Sequence, residues 1–268
     1  QRRHLPVCRK RGTPLSKPGF ASFAERFRWP AHLRYPLVIG HRGASGHVRE
    51  NTLEAFARAS DLGAEMWELD AQVTRDGVCV VSHDDHLQRV FGVDARISEL
   101  SWAELAQFPG VNVPTFAEVA ALAQARSAGL YVEIKAPEAA PLVWRHLLER
   151  DQRFAVLGSF DTEPVRHLRR QGCDFPLSVL VRLGADTLAE ADAAEADIVH
   201  LCWERGGERP QDLVTPDLMD RIFESGRQIV LWHEERPEII ADIVRLPVIG
   251  ICSDLPERLR AAIDGVAA

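Results

Sequence analysis

The chain has 268 residues, 46% of them hydrophobic, and a formal charge of −7. That is enough apolar material for one large core, at a length that an α/β barrel or a doubly wound sheet uses as a single domain. The acidic balance offers no global attraction for nucleic acid, so any anion has to be bound by cations placed locally against the field of the whole molecule.

The first 28 residues carry Arg2, Arg3, Arg9, Lys10, Arg11, Lys17, Arg26 and Arg28 against the single acid Glu25. This stretch, taken to residue 30, is expected to be a poorly ordered basic leader outside the folded domain. No apolar run approaches a membrane span, and the leader lacks the hydrophobic region of a secretory signal. Five cysteines (Cys8, Cys79, Cys173, Cys202, Cys252) are scattered without any CxxC spacing. That pattern predicts free thiols in a reducing, cytoplasmic setting, with neither a disulfide framework nor a zinc site.

From Leu37 the pattern alternates. Strands are predicted at Leu37–Gly40, Met66–Val73, Val78–Ser82, Leu130–Ile134, Phe154–Gly158, Leu177–Val181, Ile198–Leu201, Gln228–Trp232 and Val248–Cys252. Helical spacing lies between most of them, at Leu53–Leu62, Phe116–Ala125, Pro137–Arg150, Pro164–Gln171, Pro216–Ser225 and Pro237–Val244. Strand and helix in alternation predict a parallel sheet clothed by helices, an eight-stranded barrel ahead of an open sheet, over residues 36–265. Nine strands for eight places leave one over. The link Thr74-Arg75-Asp76-Gly77 is too short for a crossover helix and carries an Asp-Gly turn signal, so Met66–Val73 and Val78–Ser82 are expected to form a hairpin. In that register position 70 faces 82 and position 68 faces 84, which stands His83 beside Glu68 and Asp70. The segment from about Asp84 to Pro114, with a short helix near Ser98–Phe108, is an excursion too small for a second domain.

His41-Arg42-Gly43-Ala44-Ser45-Gly46 follows the first strand directly and is itself followed by Glu50-Asn51-Thr52, a helix cap. Alone, this fits a core histidine beside a surface arginine equally well. Glu68 and Asp70 share one face of the second strand, and Glu133 and Lys135 share one face of another. Two carboxylates forced together are tolerated only with a compensating cation or proton. Three carboxylates without a cysteine point to a hard divalent cation, Mg²⁺ or Ca²⁺, with Lys135 aimed at the same pocket. Two histidines at strand ends, His41 and His83, complete what phosphodiester cleavage requires: a base for the attacking oxygen, an acid for the leaving alkoxide and cations for the phosphoryl oxygens.

These blocks together resemble the glycerophosphodiester phosphodiesterase family: His41-Arg42-Gly43-Ala44, Glu50-Asn51-Thr52, Glu68-Leu69-Asp70, Thr74-Arg75-Asp76-Gly77, Val80-Val81-Ser82-His83-Asp84 and Glu133-Ile134-Lys135. Weaker echoes follow at Ser159-Phe160-Asp161, Trp232 and Gly250-Ile251-Cys252-Ser253-Asp254, so the likeness runs from about Leu37 to Ile263. It implies a TIM-type barrel that hydrolyses a glycerophosphodiester to glycerol 3-phosphate and an alcohol with a divalent cation. It further implies His41 and His83 as the acid/base pair, Glu68, Asp70 and Glu133 as metal ligands, and Arg42 and Lys135 on the phosphate. Glu50 would support the metal or the glycerol hydroxyls, and Trp232 would line the substrate. The family's similarity to phosphatidylinositol-specific phospholipases raises a two-step route through a cyclic phosphate.

The chain departs from the family after Trp232, where His233-Glu234-Glu235 replaces the usual threonine and asparagine. Trp203 and Trp232 are candidates to stack on a choline-like cation, against simple rim packing. Two other functions fit parts of the pattern: lysophospholipase D-like action on a lipid phosphodiester, and a barrel that binds phosphodiesters without turnover. Nothing apolar and exposed enough to dock on a bilayer is evident, and a mere binder has no need of both histidines.

Overall fold

The computed structural model describes residues 19–267. Helix α1 (Phe20–Arg26) precedes β1 (Leu37–Gly40), α2 (Leu53–Asp61), β2 (Met66–Val73) and β3 (Cys79–Val81). The excursion holds α3 (Gln88–Phe91) and α4 (Trp102–Leu105), and leads to α5 (Phe116–Arg126) and β4 (Gly129–Ile134). Four strand–helix units follow: α6 (Ala139–Glu149) with β5 (Ala155–Ser159), α7 (Thr162–Arg170) with β6 (Leu177–Arg182), α8 (Thr187–Ala194) with β7 (Ile198–Cys202), and α9 (Pro216–Glu224) with β8 (Gln228–His233). Helix α10 (Pro237–Ile243), β9 (Gly250–Ser253) and α11 (Pro256–Ala267) complete the chain.

Eight of the nine strands are parallel and close on themselves, because β1 pairs with both β9 and β2. The ninth, β3, is the expected hairpin strand. It pairs antiparallel with the end of β2, Ala71 opposite Val81, and Ser82 donates its backbone N–H to Asp70 O, as the 70-to-82 register requires. The strand reading holds to within two residues at each end.

Alternation sorts the side chains into two layers. Val38, Trp67, Leu69, Leu130 and Val132 face outward and pack under the helices, whereas Leu37, Ile39, Met66 and Tyr131 fill the barrel. Along β2 the inward set changes from apolar Met66 to the acids Glu68 and Asp70, all buried. The barrel is therefore oily at its N-terminal end and charged at its C-terminal end. The excursion closes over its own small cluster of Val80, Leu87, Ile97, Leu105 and Val113.

The expected leader is corrected over its last two fifths, residues 19–30. Phe20, Phe23, Phe27 and Trp29 are buried against Leu37, Met66, Phe154 and Ile198, so α1 and the residues after it form the barrel's floor. Trp29 meets Phe154 edge-on at 5.2 Å and Phe23 at 5.4 Å. Counting charges hid an aromatic face spaced at three and four residues. The remainder of the expected leader, residues 1–18, lies outside the described residues, as does Cys8. The four described cysteines are free thiols, and no helix among the described residues is long and apolar enough to cross a membrane.

Candidate active site

Strand β1 ends at Gly40, and the chain turns sharply through Arg42 (φ 53°) and Gly43 (φ 86°). A Cβ on Gly43 would stand 2.6 Å from the backbone of Ala55, so only glycine lets the turn lie against α2. The turn presents His41 and Arg42 to a cavity of 430 Å³ at the C-terminal mouth, where Glu68, His83, Glu133 and Lys135 also project. This is the end at which barrel enzymes carry their chemistry. The sequence placed all six of these residues in one pocket, and they are in one pocket.

Asp70 and Glu133 are register partners on neighbouring strands, and Glu68 lies one pleat below Asp70 on the same face. Oxygens of the three carboxylates lie within 4.8 Å of one another, with exposures of 3, 0 and 6% for Glu68, Asp70 and Glu133. Lys135 Nζ lies 2.7 Å from Glu133 Oε1 and 3.4 Å from Asp70 Oδ1. Asn51 donates its amide to Asp70 Oδ2 at 2.8 Å, and Arg42 Nε lies 3.4 Å from the same oxygen. The Arg42 backbone N–H donates to Glu68 Oε2 at 3.0 Å.

The charge is unevenly compensated. Burial, reinforced by Asp70 and Glu133, pushes Glu68 well above the usual carboxylate range. Burial and then Asp70 raise Glu133 to about 7, against the pull of Lys135. At Asp70 burial acts in the same upward sense but is outweighed by Lys135, Arg42, His83 and the Asn51 amide, which hold it below its ordinary value. Asp70 Oδ1 is buried and accepts no hydrogen bond. A buried acceptor that has only a 3.4 Å ion pair with Lys135 and no hydrogen bond, in an all-oxygen cluster whose acids resist full ionisation, is what a hard divalent cation satisfies. The donor set fits one.

His41 is fixed from two sides. Its Nδ1 lies 2.6 Å from Asp254 Oδ1, and Ser45 Oγ lies 2.8 Å from that same oxygen. The outer ring nitrogen, Nε2, faces the cluster 3.9 Å from Glu68 Oε2. The His233 ring stacks on that of His41, 4.3 Å between centroids and 3° from parallel. Burial lowers the His41 pKa despite the bond to Asp254, whereas Asp254, which burial alone would raise, is held at about 2 by His41. His41, His233 and Asp254 also bring ligand atoms within 4.8 Å of one another. Parallel rings send their in-plane lone pairs side by side instead of toward one point, so this trio reads as a stack and a hydrogen bond. His83 follows β3, with Nδ1 2.7 Å from Asp84 Oδ1.

Two expectations change. Glu50 contributes no oxygen to the three-carboxylate cluster; its carboxylate accepts from Arg42 at 3.0 Å and from Arg89 at 2.6 and 2.9 Å, so it steadies Arg42. Trp232 touches the cavity wall, but its indole is 1% exposed in the layer between barrel and helices and donates its N–H to Glu234 at 3.1 Å. Trp203 is buried in that layer too and is not part of this wall. Neither tryptophan can cap a choline.

Sequence reading assigned no role to Asp254, Asn51, Arg89 or His233. Asn51 looked like a helix cap, yet Thr52 caps α2, and Asn51, at φ 55°, turns its amide to Asp70. His233 reaches His41 because β8 carries a bulge against β9, two residues opposite one, around Trp232. A bulge re-aims the next side chain and leaves no mark in a period-two pattern.

The sequence matches the model of the glycerophosphoryl diester phosphodiesterase family over residues 41–258. A glycerophosphodiester phosphodiesterase of Caldanaerobacter subterraneus subsp. tengcongensis is 27% identical over 240 residues, covering 83% of this chain and 96% of that protein. The crystal structure of a glycerophosphodiester phosphodiesterase from Thermotoga maritima superposes with a TM-score of 0.71 at 27% identity, covering 86% of this chain and 99% of that one. A phosphodiesterase of Oleispira antarctica, solved with its product sn-glycerol-3-phosphate, shares the fold at a TM-score of 0.74 and 21% identity, over 85% of this chain and 97% of that one. The chain belongs to the glycerophosphoryl diester phosphodiesterase family and is a phosphoric diester hydrolase acting on glycerophosphodiesters.

Proposed function

We propose that the chain cleaves soluble glycerophosphodiesters to sn-glycerol 3-phosphate and an alcohol, using a divalent cation, Mg²⁺ or Ca²⁺, and a pair of imidazoles. The observation that carries this reading is the meeting of Glu68 and Glu133 with His41, His83, Arg42 and Lys135 in one cavity, with Asp70 buried against both acids. The three carboxylates would hold the cation, which when bound neutralises charge on the substrate's oxygens.

The chain's own groups do the rest. Asp254 takes up Nδ1–H of His41 and so leaves Nε2 with its lone pair toward the cavity; a lowered pKa keeps that ring neutral and able to accept a proton from the attacking oxygen. The attacker is either water or the neighbouring glycerol hydroxyl, the latter giving a cyclic phosphate first. His83, oriented by Asp84, protonates the leaving alkoxide. Arg42 and Lys135 bind the non-bridging oxygens and stabilise their growing charge. Because seven charged side chains and four histidines are spread through the lining of the cavity, a small soluble substrate suits it better than a lysophospholipid tail.

The test is incubation with glycerophosphocholine, glycerophosphoethanolamine and glycerophosphoserine, reading glycerol 3-phosphate with and without chelator. Chelator-sensitive release of glycerol 3-phosphate is expected. No release from any diester with cation present would leave only a binding function, and release indifferent to chelator would remove the cation.

A further inference from the structure

The wall of the mouth that continues from the strand of Glu133 has no part in the reaction just described. It is built from the ends of β5, β6 and β7: Phe160 follows β5, Arg182 ends β6, and Glu204 and Arg205 follow β7, all on the same cavity as His41 and Lys135. Arg182 is the register partner of Cys202, so the turn bearing Glu204 and Arg205 rises beside it. The Arg182 guanidinium sits 4.5 Å from the centre of the Phe160 ring, and the Lys135 ammonium sits 5.9 Å from the same centre. One aromatic ring therefore neighbours both the lysine proposed to bind phosphate and a second cation. Among the described residues, no carboxylate pairs with Arg182 or Arg205.

Resting on the proposed phosphodiesterase reading, we infer that this wall is the subsite for the leaving alcohol. It selects alcohols that carry an anionic group, a carboxylate or a second phosphate, over the quaternary ammonium of choline. A choline site needs open aromatic faces. Here the Phe160 face is already covered by a guanidinium, and both nearby tryptophans are packed under the helices. Two guanidiniums without acid partners repel a fixed positive charge and offer a fork that fits carboxylate or phosphate oxygens. Stacking on Phe160 holds Arg182 over the cavity, so less side-chain freedom is lost when an anion binds. Glu204 is the one acid on this wall and does not offset both cations; it can take the ammonium that accompanies the carboxylate of a serine alcohol.

The experiment compares kcat/KM for glycerophosphoserine, bis(glycerophospho)glycerol, glycerophosphoethanolamine and glycerophosphocholine, in the unmodified chain and in Arg182→Ala, Arg182→Glu and Arg205→Ala. The unmodified chain is expected to favour the two anionic alcohols over choline by about tenfold, the worth of one charged hydrogen bond in a partly enclosed site. Arg182→Ala and Arg205→Ala should each shrink that ratio, Arg182→Glu should invert it, and added salt should weaken it. The serine and bis-phosphodiester arms separate a carboxylate from a phosphate as the favoured anion. Choline turned over as well as serine, or a ratio unmoved in all three variants, overturns the inference while leaving the phosphodiesterase reading intact. Failure on every diester overturns that reading itself.

Discussion

Glu133→Gln puts the carboxylate cluster to a test in which stability and function move in opposite directions. In the cation-free protein, burial and Asp70 raise Glu133 from 4.5 to about 7. Because the folded-state pKa lies above that of the unfolded chain, this group's contribution to stability is complete below pH 4.5 and is lost as the pH climbs through 7. At pH 8 the ionised carboxylate then costs the fold about 3 kcal/mol, at 1.36 kcal/mol for each factor of ten in proton affinity. Glutamine has nearly the same shape and no charge, so in chelator at pH 8 the variant should be the more stable protein, melting about 5 °C or more above the parent. Excess Mg²⁺ or Ca²⁺ should reverse the order, since a cation bound only by the native state stabilises the parent and the variant has lost a ligand. Melting by circular dichroism at pH 5 and pH 8, with chelator and with cation, reads all of this. The gap between parent and variant should close at pH 5. A variant that melts lower than the parent in chelator at pH 8, or whose melting still rises with cation as the parent's does, would refute the assignment of Glu133 as a strained ligand.

Other outcomes follow from the same geometry. His41→Ala should keep the cation-induced rise in melting temperature and lose activity by about 10²-fold or more, and a retained rate would remove the ring from proton transfer. Asp254→Asn leaves space and contacts almost unchanged but no longer fixes the His41 tautomer, so kcat should fall by about 10²-fold with little change in KM; an unaltered pH–rate profile would mean that Asp254 merely packs. Lys135→Ala should raise the barrel's catalytic barrier by about 2–4 kcal/mol, seen in kcat/KM. Phe23→Ala opens a hole in the floor and should cost about 3–5 kcal/mol of unfolding free energy while sparing KM, and wild-type melting would show the floor to be dispensable.

Much of this was written along the chain because it depends on spacing alone. Alternation in Met66–Val73 set Glu68 and Asp70 on one face, and alternation in Leu130–Ile134 did the same for Glu133 with the lysine beyond it. The Asp-Gly turn after Val73 sufficed to identify β3 as a hairpin strand outside the barrel count, with the register found here. Helix α8 was passed over because its apolar residues are mostly alanine, which mark a face weakly, and α1 because it was counted into a stretch with eight cations and one acid over residues 1–28.

What spacing could not reach are the contacts between groups far apart in the chain. Asp254 grips a histidine 213 positions away, Asn51 reaches Asp70 from a left-handed turn, and a single bulge lays His233 on His41. Local sequence dictates which way a side chain leaves its own strand; it carries no record of which strands the barrel brings together at its rim. Chain chemistry alone therefore supplied the residues that gather at the mouth and the architecture that gathers them. Closure of the barrel decided that Asp254 holds Nδ1 of His41, that Glu50 serves an arginine, and that the tryptophans are wall and not cage.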